Sequence, residues 1–150
     1  MIEVRRAEMA DLNWLEKTER ENFSLPWTLD MFARMLEGGS YSVLVALDGG
    51  ERAGFLVLSR VLDEGAVDNV CTSARFRRRG VGGALVSAAA ELARAEGLSL
   101  LTLEVRESNA PALALYKKQG FEILGKRPGY YEQPREDAVI MTLYLKEAQS

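Results

Sequence analysis

The spacing of apolar residues in the first quarter of the chain predicts one strand and two helices. Residues 2–4 alternate between apolar and polar, as in a short strand. Asp11 directly precedes an apolar cluster, where it can cap a helix that runs to about Glu21. A proline then interrupts the helical pattern, and Thr28 can cap a second helix that ends near Gly38. Two helices therefore precede most of the strands.

Three apolar runs rich in β-branched and aromatic residues follow the second helix. They cover Tyr41–Leu47, Arg52–Val61 and Ala66–Thr72, and turn-forming residues at 48–51 and 63–65 separate them. Short strand-like runs joined by such turns are typical of consecutive antiparallel hairpins. The middle of the chain is therefore predicted to be a β-meander.

The apolar period changes at Val81 to steps of three and four residues, which indicates a helix with one buried face. Gly97 stands where a C-cap is expected. The predicted apolar stripe consists of Val81, Leu85, Ala88, Leu92 and Ala95.

The last third of the chain predicts a strand, a helix and two further strands. The first strand covers Leu98–Val105, Ser108 or Asn109 caps the helix, and the final strands cover Glu122–Lys126 and Ala138–Leu145. The resulting order, β-α-α-β-β-β-α-β-α-β-β, describes a mixed α/β fold in a single domain over residues 1–150. Its strand-helix-strand unit over residues 66–105 must be a right-handed crossover.

Composition excludes several classes of chemistry. The 150 residues carry 19 basic and 22 acidic side chains, and this balance argues against a nucleic-acid or membrane-surface binder. The chain has no histidine, which excludes Ser-His-Asp triads, imidazole metal sites and imidazole bases. A single cysteine permits no internal disulfide and fits a reducing compartment. We therefore expect a cytoplasmic protein without a membrane span, a secretory signal or a metal site.

An arginine- and glycine-rich segment lies between a predicted strand and a predicted helix. Residues 75–83 hold four arginines and three glycines just where the helix begins. Free backbone N–H groups, the positive end of the helix dipole and small side chains together suit a pyrophosphate. Taken alone, the same segment could be a solvated charge run with a tight turn, because a lone Gly-x-Gly is a weak signal.

Two motifs in this order resemble the GCN5-related N-acetyltransferase (GNAT) superfamily. Residues 77–82 (RRRGVG) are similar to its coenzyme A pyrophosphate loop, and residues 109–121 (NAPALALYKKQGF) resemble its other common motif. Three further segments resemble the ribosomal-protein alanine N-acetyltransferase (RimI) family within it: residues 25–27 (LPW), 103–106 (LEVR) and 135–141 (REDAVIM).

The resemblance implies a fold, a reaction and a set of site residues. The fold would be a mixed, mostly antiparallel sheet of about seven strands flanked by about four helices. The reaction would be direct transfer of acetyl from acetyl-CoA to a protein N-terminus in a ternary complex, with ribosomal protein S18 as the expected partner. By resemblance, Glu104 is the proton acceptor and Tyr116 the proton donor. The acetyl-CoA contacts implied in the same way are Val70, Cys71, Thr72, Arg78, Arg79, Gly80, Val81, Gly82, Gly83 and Asn109.

Each of these residues also has a purely structural interpretation. Glu104 could be a strand-end carboxylate bonded to Arg106, and Tyr116 could be an amphipathic core residue. A second set of candidates would contact the substrate: Trp27, Tyr130 and Tyr131 as the lining of a peptide groove, with Glu64 and Asp137 as ligands of the substrate's ammonium group. Those aromatic residues could equally be ordinary packing, and the two carboxylates could cap turns.

Three rival functions share part of this pattern. An acetyltransferase of small amines would use the same cofactor loop and ignore peptides. A non-catalytic acetyl-CoA-binding module would bind the cofactor without turnover. A nucleic-acid binder using the arginine cluster would show steep salt dependence, and the net charge of −3 argues against it. We expect a monomer or a weak dimer that binds no nucleic acid.

Overall fold

The computed structural model describes residues 1–132 and 134–146. Short 3-10 turns lie at Met9–Asp11 and Ala74–Phe76. The longer elements, in chain order, are β1 (Ile2–Arg6), α1 (Leu12–Asn22), α2 (Leu29–Leu36), β2 (Tyr41–Asp48), β3 (Glu51–Val61), β4 (Glu64–Thr72), α3 (Val81–Ala95), β5 (Leu100–Arg106), α4 (Ala110–Lys118), β6 (Glu122–Glu132) and β7 (Arg135–Tyr144). The predicted order of strands and helices is confirmed.

The seven strands form one mixed sheet with the order β1-β2-β3-β4-β5-β7-β6. Strands β2 to β4 make the predicted meander, β1 pairs antiparallel with β2 at its edge, and β5, β7 and β6 pair antiparallel on the other side. Strands β4 and β5, which α3 connects, are parallel. The mostly antiparallel sheet with four flanking α-helices in the described residues is thus the expected one.

Each face of the sheet carries its own hydrophobic core. On one face, α3 and α4 cover side chains such as Leu56, Leu103 and Met141. On the other face, α1 and α2 cover Phe55 and Val57 of β3, the strand that also carries Leu56. The helices divide between two faces because successive side chains of a strand point in opposite directions.

Helix α3 packs closely on the sheet because of a glycine in β3. A Cβ atom at Gly54 would lie 2.5 Å from the carbonyl oxygen of Cys71 and 2.8 Å from a methyl group of Val81. Any larger residue there would push α3 away from the strands. The buried face of α3 holds Val81, Leu85, Val86, Ala89, Ala90 and Ala93. Ala95 is exposed, so its predicted place in the buried stripe is wrong.

Two predicted boundaries are corrected by strand pairing. Glu64 and Gly65 belong to β4, so the turn before it is shorter than the predicted 63–65 segment. Leu62 provides this turn with a positive φ of 56°. The sixth strand extends to Glu132 and not only to Lys126, because it follows β7 through two register shifts. Local periodicity does not reveal such irregular pairing.

Asp11 stabilises the N-terminal part of the fold in a different way from the predicted one. It makes no side-chain cap on α1. Its fully buried carboxylate accepts hydrogen bonds from Arg5 at 2.7 and 3.0 Å, from Arg52 at 2.8 Å and from the Glu8 backbone N–H at 2.7 Å. These bonds, led by the two from Arg5, hold the pKa of Asp11 well below its usual range. The carboxylate thus joins β1 to β3 and to the start of α1.

None of the helices in the described part of the chain has both the length and the apolar character needed to cross a bilayer.

We predict that Asp11→Asn lowers the free energy of unfolding by about 2 kcal/mol, because two arginines lose their buried partner. Since the folded-state pKa of Asp11 is lowered, the stabilisation is complete at neutral pH and is lost as the pH falls below about 4. Urea denaturation at several pH values checks this: the difference in stability between the two proteins should shrink steadily as the pH falls from about 4. Asp30→Asn, which removes a highly exposed carboxylate, should change stability by less than about 0.5 kcal/mol. Equal effects of the two substitutions would contradict the prediction.

Candidate active site

Strands β4 and β5 are paired only where they begin. Their parallel register covers Glu64 with Leu100, Gly65 with Leu101 and Ala66 with Thr102. Beyond these positions the two strands separate, although both continue. The peptide groups of β4 that face the opening therefore have no partner in β5. Such a split in a sheet exposes backbone donors and acceptors to any molecule that enters it.

The split opens a cavity of about 450 Å³. Its walls combine the separated parts of both strands with side chains from α4, β6 and the end of α1. The residues that line it are Phe23, Ala66, Val67, Asp68, Asn69, Val70, Thr102, Leu103, Glu104, Val105, Arg106, Asn109, Ala112, Tyr116, Tyr130 and Tyr131. The cavity thus contains both residues expected to be catalytic, Glu104 and Tyr116, together with Val70 and Asn109.

Glu104 and Tyr116 reach the cavity from opposite faces of the sheet. Leu103 and Val105 pack in the core under α3 and α4, so Glu104 between them points to the other face. Tyr116, on α4, belongs to the core that Leu103 and Val105 share. The two side chains meet in one cavity only because the strands are separated there. Two reactants could therefore enter from opposite faces and meet in the gap.

The Glu104 carboxylate is partly accessible and lies beside a guanidinium group. Its side chain is 25% exposed, and one oxygen lies 3.1 Å from Nε of Arg127. Tyr130 lines the same cavity as this carboxylate. Burial and the nearby negative charge of Glu104 raise the pKa of Tyr130. Glu104 is thus held in place by Arg127 of β6 and remains open to the cavity.

Tyr116 is buried with its ring against an aromatic neighbour. It is 7% exposed, and its ring centroid lies 5.9 Å from that of Phe121. Burial raises the pKa of its phenol above the usual value of 10. Tyr116 therefore keeps its proton at neutral pH, as a proton donor must. Asn109, two turns earlier, caps α4 by accepting a hydrogen bond from the Ala112 N–H at 3.3 Å, and so it also orients this helix.

The arginine-rich loop is held open at the start of α3. Arg78 and Gly80 have positive φ angles of 66° and 85°. The side chains of the other loop arginines have partners in the protein: Arg77 bonds to Asn22, Arg79 to Asp48, and Arg75 pairs with Glu51. Arg78 forms no hydrogen bond or ion pair within the described residues.

Small residues keep the space above this helix start free. A Cβ atom at Gly82 would approach only Thr72 Oγ1, at 4.0 Å. The first N–H groups of α3 have no partner within the helix, and the helix dipole makes this end positive. The loop therefore offers an exposed guanidinium group and free backbone donors to an anion.

Cys71 cannot act as a nucleophile in this state of the protein. Its side chain is buried in the core under α1 and α2, and burial raises the pKa of its thiol to about 12. The thiolate required for covalent catalysis is therefore absent near neutral pH. Within the described ranges, no three His, Cys, Asp or Glu side chains lie together as a metal site.

The predicted substrate residues occupy different environments. Tyr130 and Tyr131 line the cavity as an edge-to-face pair 5.1 Å apart. Burial, followed by the charge of Glu104, raises the pKa of Tyr131 to about 12. Trp27 packs against Phe32 and lies outside the cavity lining.

The two carboxylates that were candidates for binding an ammonium group also lie away from the lining of this cavity. Glu64 is exposed at the start of β4. Asp137 accepts a hydrogen bond from the Gly129 N–H at 2.8 Å and so shapes the β6–β7 hairpin. The structure does not bring either one beside Glu104.

Two carboxylates that sequence patterns did not single out lie at or near the site. Asp68 lines the cavity at a bulge in β4. Glu19 is buried on α1 and accepts hydrogen bonds from the Trp27 N–H and from the side chain of Asn69, and burial raises its pKa. It joins the segment after α1 to the wall of the cavity. Neither position has a local signal, because each depends on packing between distant elements.

Known proteins match the chain along most of its length. The model of the acetyltransferase (GNAT) family matches residues 6–121. The chain belongs to the GNAT family.

The most informative relatives within this family are bacterial. A putative ribosomal protein bS18-alanine N-acetyltransferase of Bacillus subtilis is 34% identical over 145 residues, which are 96% of each chain. The bS18-alanine N-acetyltransferase of Escherichia coli K12 is also 34% identical over 145 residues, covering 95% of this chain and 97% of that one. A crystal structure of the Escherichia coli enzyme superposes with a TM-score of 0.86 at 33% identity, over 100% of this chain and 97% of that one. The resemblance to the ribosomal-protein alanine N-acetyltransferases is thus confirmed over nearly the whole chain.

Proposed function

We propose that this GNAT protein transfers acetyl from acetyl-CoA to the N-terminal α-amino group of a protein, and that its substrate is the N-terminal alanine of ribosomal protein bS18. The observation that supports it best is the cavity in which Glu104 and Tyr116 meet from opposite faces of the sheet. The names and coverage of the relatives support the choice of substrate. The whole chain would act as one acetyltransferase domain, in the cytoplasm where ribosomal proteins are made.

The proposed place of acetyl-CoA follows from the free groups around the split. Its pyrophosphate would bind the N–H groups at the start of α3 and the exposed guanidinium group of Arg78. Its pantetheine arm would run along β4 at Val70, Cys71 and Thr72, beyond the positions where β4 pairs with β5. The thioester would then lie beside Tyr116.

The proposed reaction is a direct attack. The neutral amine attacks the thioester carbonyl carbon, a C–N bond forms, and the C–S bond breaks. Glu104 takes the proton that the attacking nitrogen loses, and Tyr116 gives a proton to the departing thiolate. Both groups then exchange protons with solvent. A covalent acyl-enzyme has no support, since Cys71 is buried with a raised pKa and the chain lacks histidine.

An N-terminal amine suits a carboxylate base. The pKa of an α-amino group is about 8 against about 10.4 for lysine, so about a tenth of it is neutral near pH 7. A base as weak as a glutamate therefore needs to remove only the proton released during attack. Lysine side chains would be several hundredfold less available as nucleophiles at the same pH.

We predict that a peptide with a free N-terminal alanine releases coenzyme A thiol from acetyl-CoA much faster than the same peptide with a blocked N-terminus and an internal lysine. The expected ratio of the two rates is at least about a hundredfold, because a much larger fraction of an α-amino group than of a lysine side chain is neutral at the same pH. Thiol release and mass spectrometry of the product check it. Turnover of small amines alone would favour a small-molecule acetyltransferase, and cofactor binding without any turnover would favour a sensing module.

We predict that Glu104→Gln and Tyr116→Phe each lower kcat by about a hundredfold while the Kd of acetyl-CoA stays within about twofold, as expected for proton-transfer residues. Steady-state kinetics and calorimetry check this. An equal loss of cofactor binding in both variants would assign them structural roles.

We predict that Gly82→Leu raises the Kd of acetyl-CoA by at least about tenfold without unfolding the protein. The new side chain has room within the protein, since its Cβ atom meets only Thr72, but it would occupy the place proposed for the pyrophosphate. Ala95→Leu is the matched control, because it adds a leucine to an exposed position at the other end of α3. Unchanged binding in Gly82→Leu would refute the proposed phosphate site.

A further inference from the structure

A β-bulge in β4 brings one acidic residue to the cavity. In the register between β3 and β4, Val57 pairs with Asn69 but Leu58 pairs with Val67. Asp68 is therefore an extra residue without a partner in β3. A bulge of this kind redirects side chains, and bulges are common beside active sites. Here Asp68 becomes part of the cavity wall, across the split from Glu104.

The Asp68 carboxylate has no cationic partner in the described residues. The groups that act on it are the hydroxyl group of Ser59, which lowers its pKa, and the negative charge of Glu104, which raises its pKa. Desolvation in the cleft raises its pKa, and the Glu104 charge adds to this effect. The carboxylate therefore sits in a place that an added positive charge would stabilise.

Unlike Asp68, Glu104 has a positively charged neighbour. One oxygen of its carboxylate already lies 3.1 Å from Nε of the Arg127 guanidinium group. A substrate with a protonated amine that enters the cavity would thus meet two carboxylates. Glu104 already has a positively charged neighbour, whereas Asp68 has no counterion in the described residues. The remaining sequence candidates, Glu64 and Asp137, do not line the cavity.

We propose that Asp68 is a specificity-determining residue that binds the α-ammonium group of the acceptor peptide and holds it next to Glu104. This inference rests on the function proposed above and adds the residue that selects the charged acceptor. Asp68 and Glu104 then have separate tasks. Asp68 binds the ammonium form, which loses one proton to solvent before it can attack, and Glu104 takes the second proton that the nitrogen loses during attack. An ion pair with Asp68 also favours the protonated amine, so its contribution lies in substrate affinity and not in the rate of the chemical step.

The test is a comparison of Asp68→Asn with the wild-type enzyme on a peptide with a free N-terminal alanine. We expect the KM for the peptide to rise about tenfold, as for the loss of one partly exposed ion pair with hydrogen bonding. The kcat should be unchanged or slightly higher, and the KM for acetyl-CoA should be unchanged. Glu64→Gln, in the same strand but outside the cavity, is the matched control and should leave all three constants unchanged.

A neutral analogue of the peptide separates charge recognition from a structural effect. In this analogue a hydroxyl group replaces the N-terminal ammonium group, so it can only inhibit. The wild-type enzyme should bind it about tenfold more weakly than the alanine peptide, and Asp68→Asn should bind the two about equally. Asp68→Glu should recover part of the affinity for the charged peptide.

The outcomes separate this inference from the proposed function. An active wild-type enzyme with equal affinity for the charged and the neutral peptide overturns the role of Asp68 alone, even if the variants do not fold. A peptide KM that Asp68→Asn leaves unchanged does the same. A wild-type enzyme that acetylates no peptide overturns the proposed function, and the role of Asp68 with it.

Discussion

The site depends on a pair of parallel strands that stop pairing after three residues. Strand β4 is held by β3 along its whole length, and β5 is held by β7 from Leu100 to Arg106. Each strand is therefore fixed by its outer neighbour, and the gap between them stays open although backbone hydrogen bonds are missing there. The bulge at Asp68 and the cavity both occur on this stretch. The fold thus keeps an internal strand edge whose backbone groups β5 does not pair.

Much of the fold could be predicted from local patterns. Thr28 and Asn109 cap α2 and α4 as expected, because a cap depends on residues within one turn. Asp11 could not be assigned in this way. Its partners Arg5 and Arg52 come from different strands, and only the folded chain brings them to one carboxylate. The same reason explains why the bulge at Asp68 was not foreseen: it exists only in the register between two strands.

The part of the candidate site that lies within sequence motifs could be predicted. The resemblance to known acetyltransferases pointed to Glu104 and Tyr116, and the structure places both in one cavity. For Glu64 and Asp137 the sequence left two interpretations open, as ligands of an ammonium group or as turn caps, and the structure puts them at a strand start and in a hairpin bond. Short motifs report residues whose roles are fixed by chemistry common to the family. Acceptor recognition depends on side chains from several elements, and these have no common spacing.

The two hydrophobic cores lie on opposite faces of the sheet, so each can change its packing largely independently of the other. In the proposed function, the core under α3 and α4 lies on the cofactor side of the sheet, and the core under α1 and α2 lies on the side where the acceptor would enter. Strand β3 contributes alternate residues to both, such as Leu56 to one and Phe55 to the other. On this proposal, mutations under α1 and α2 would change the choice of acceptor while the packing of the cofactor half is kept. In a fold with two such cores, the acceptor can change while the residues that bind the cofactor and transfer the protons stay the same.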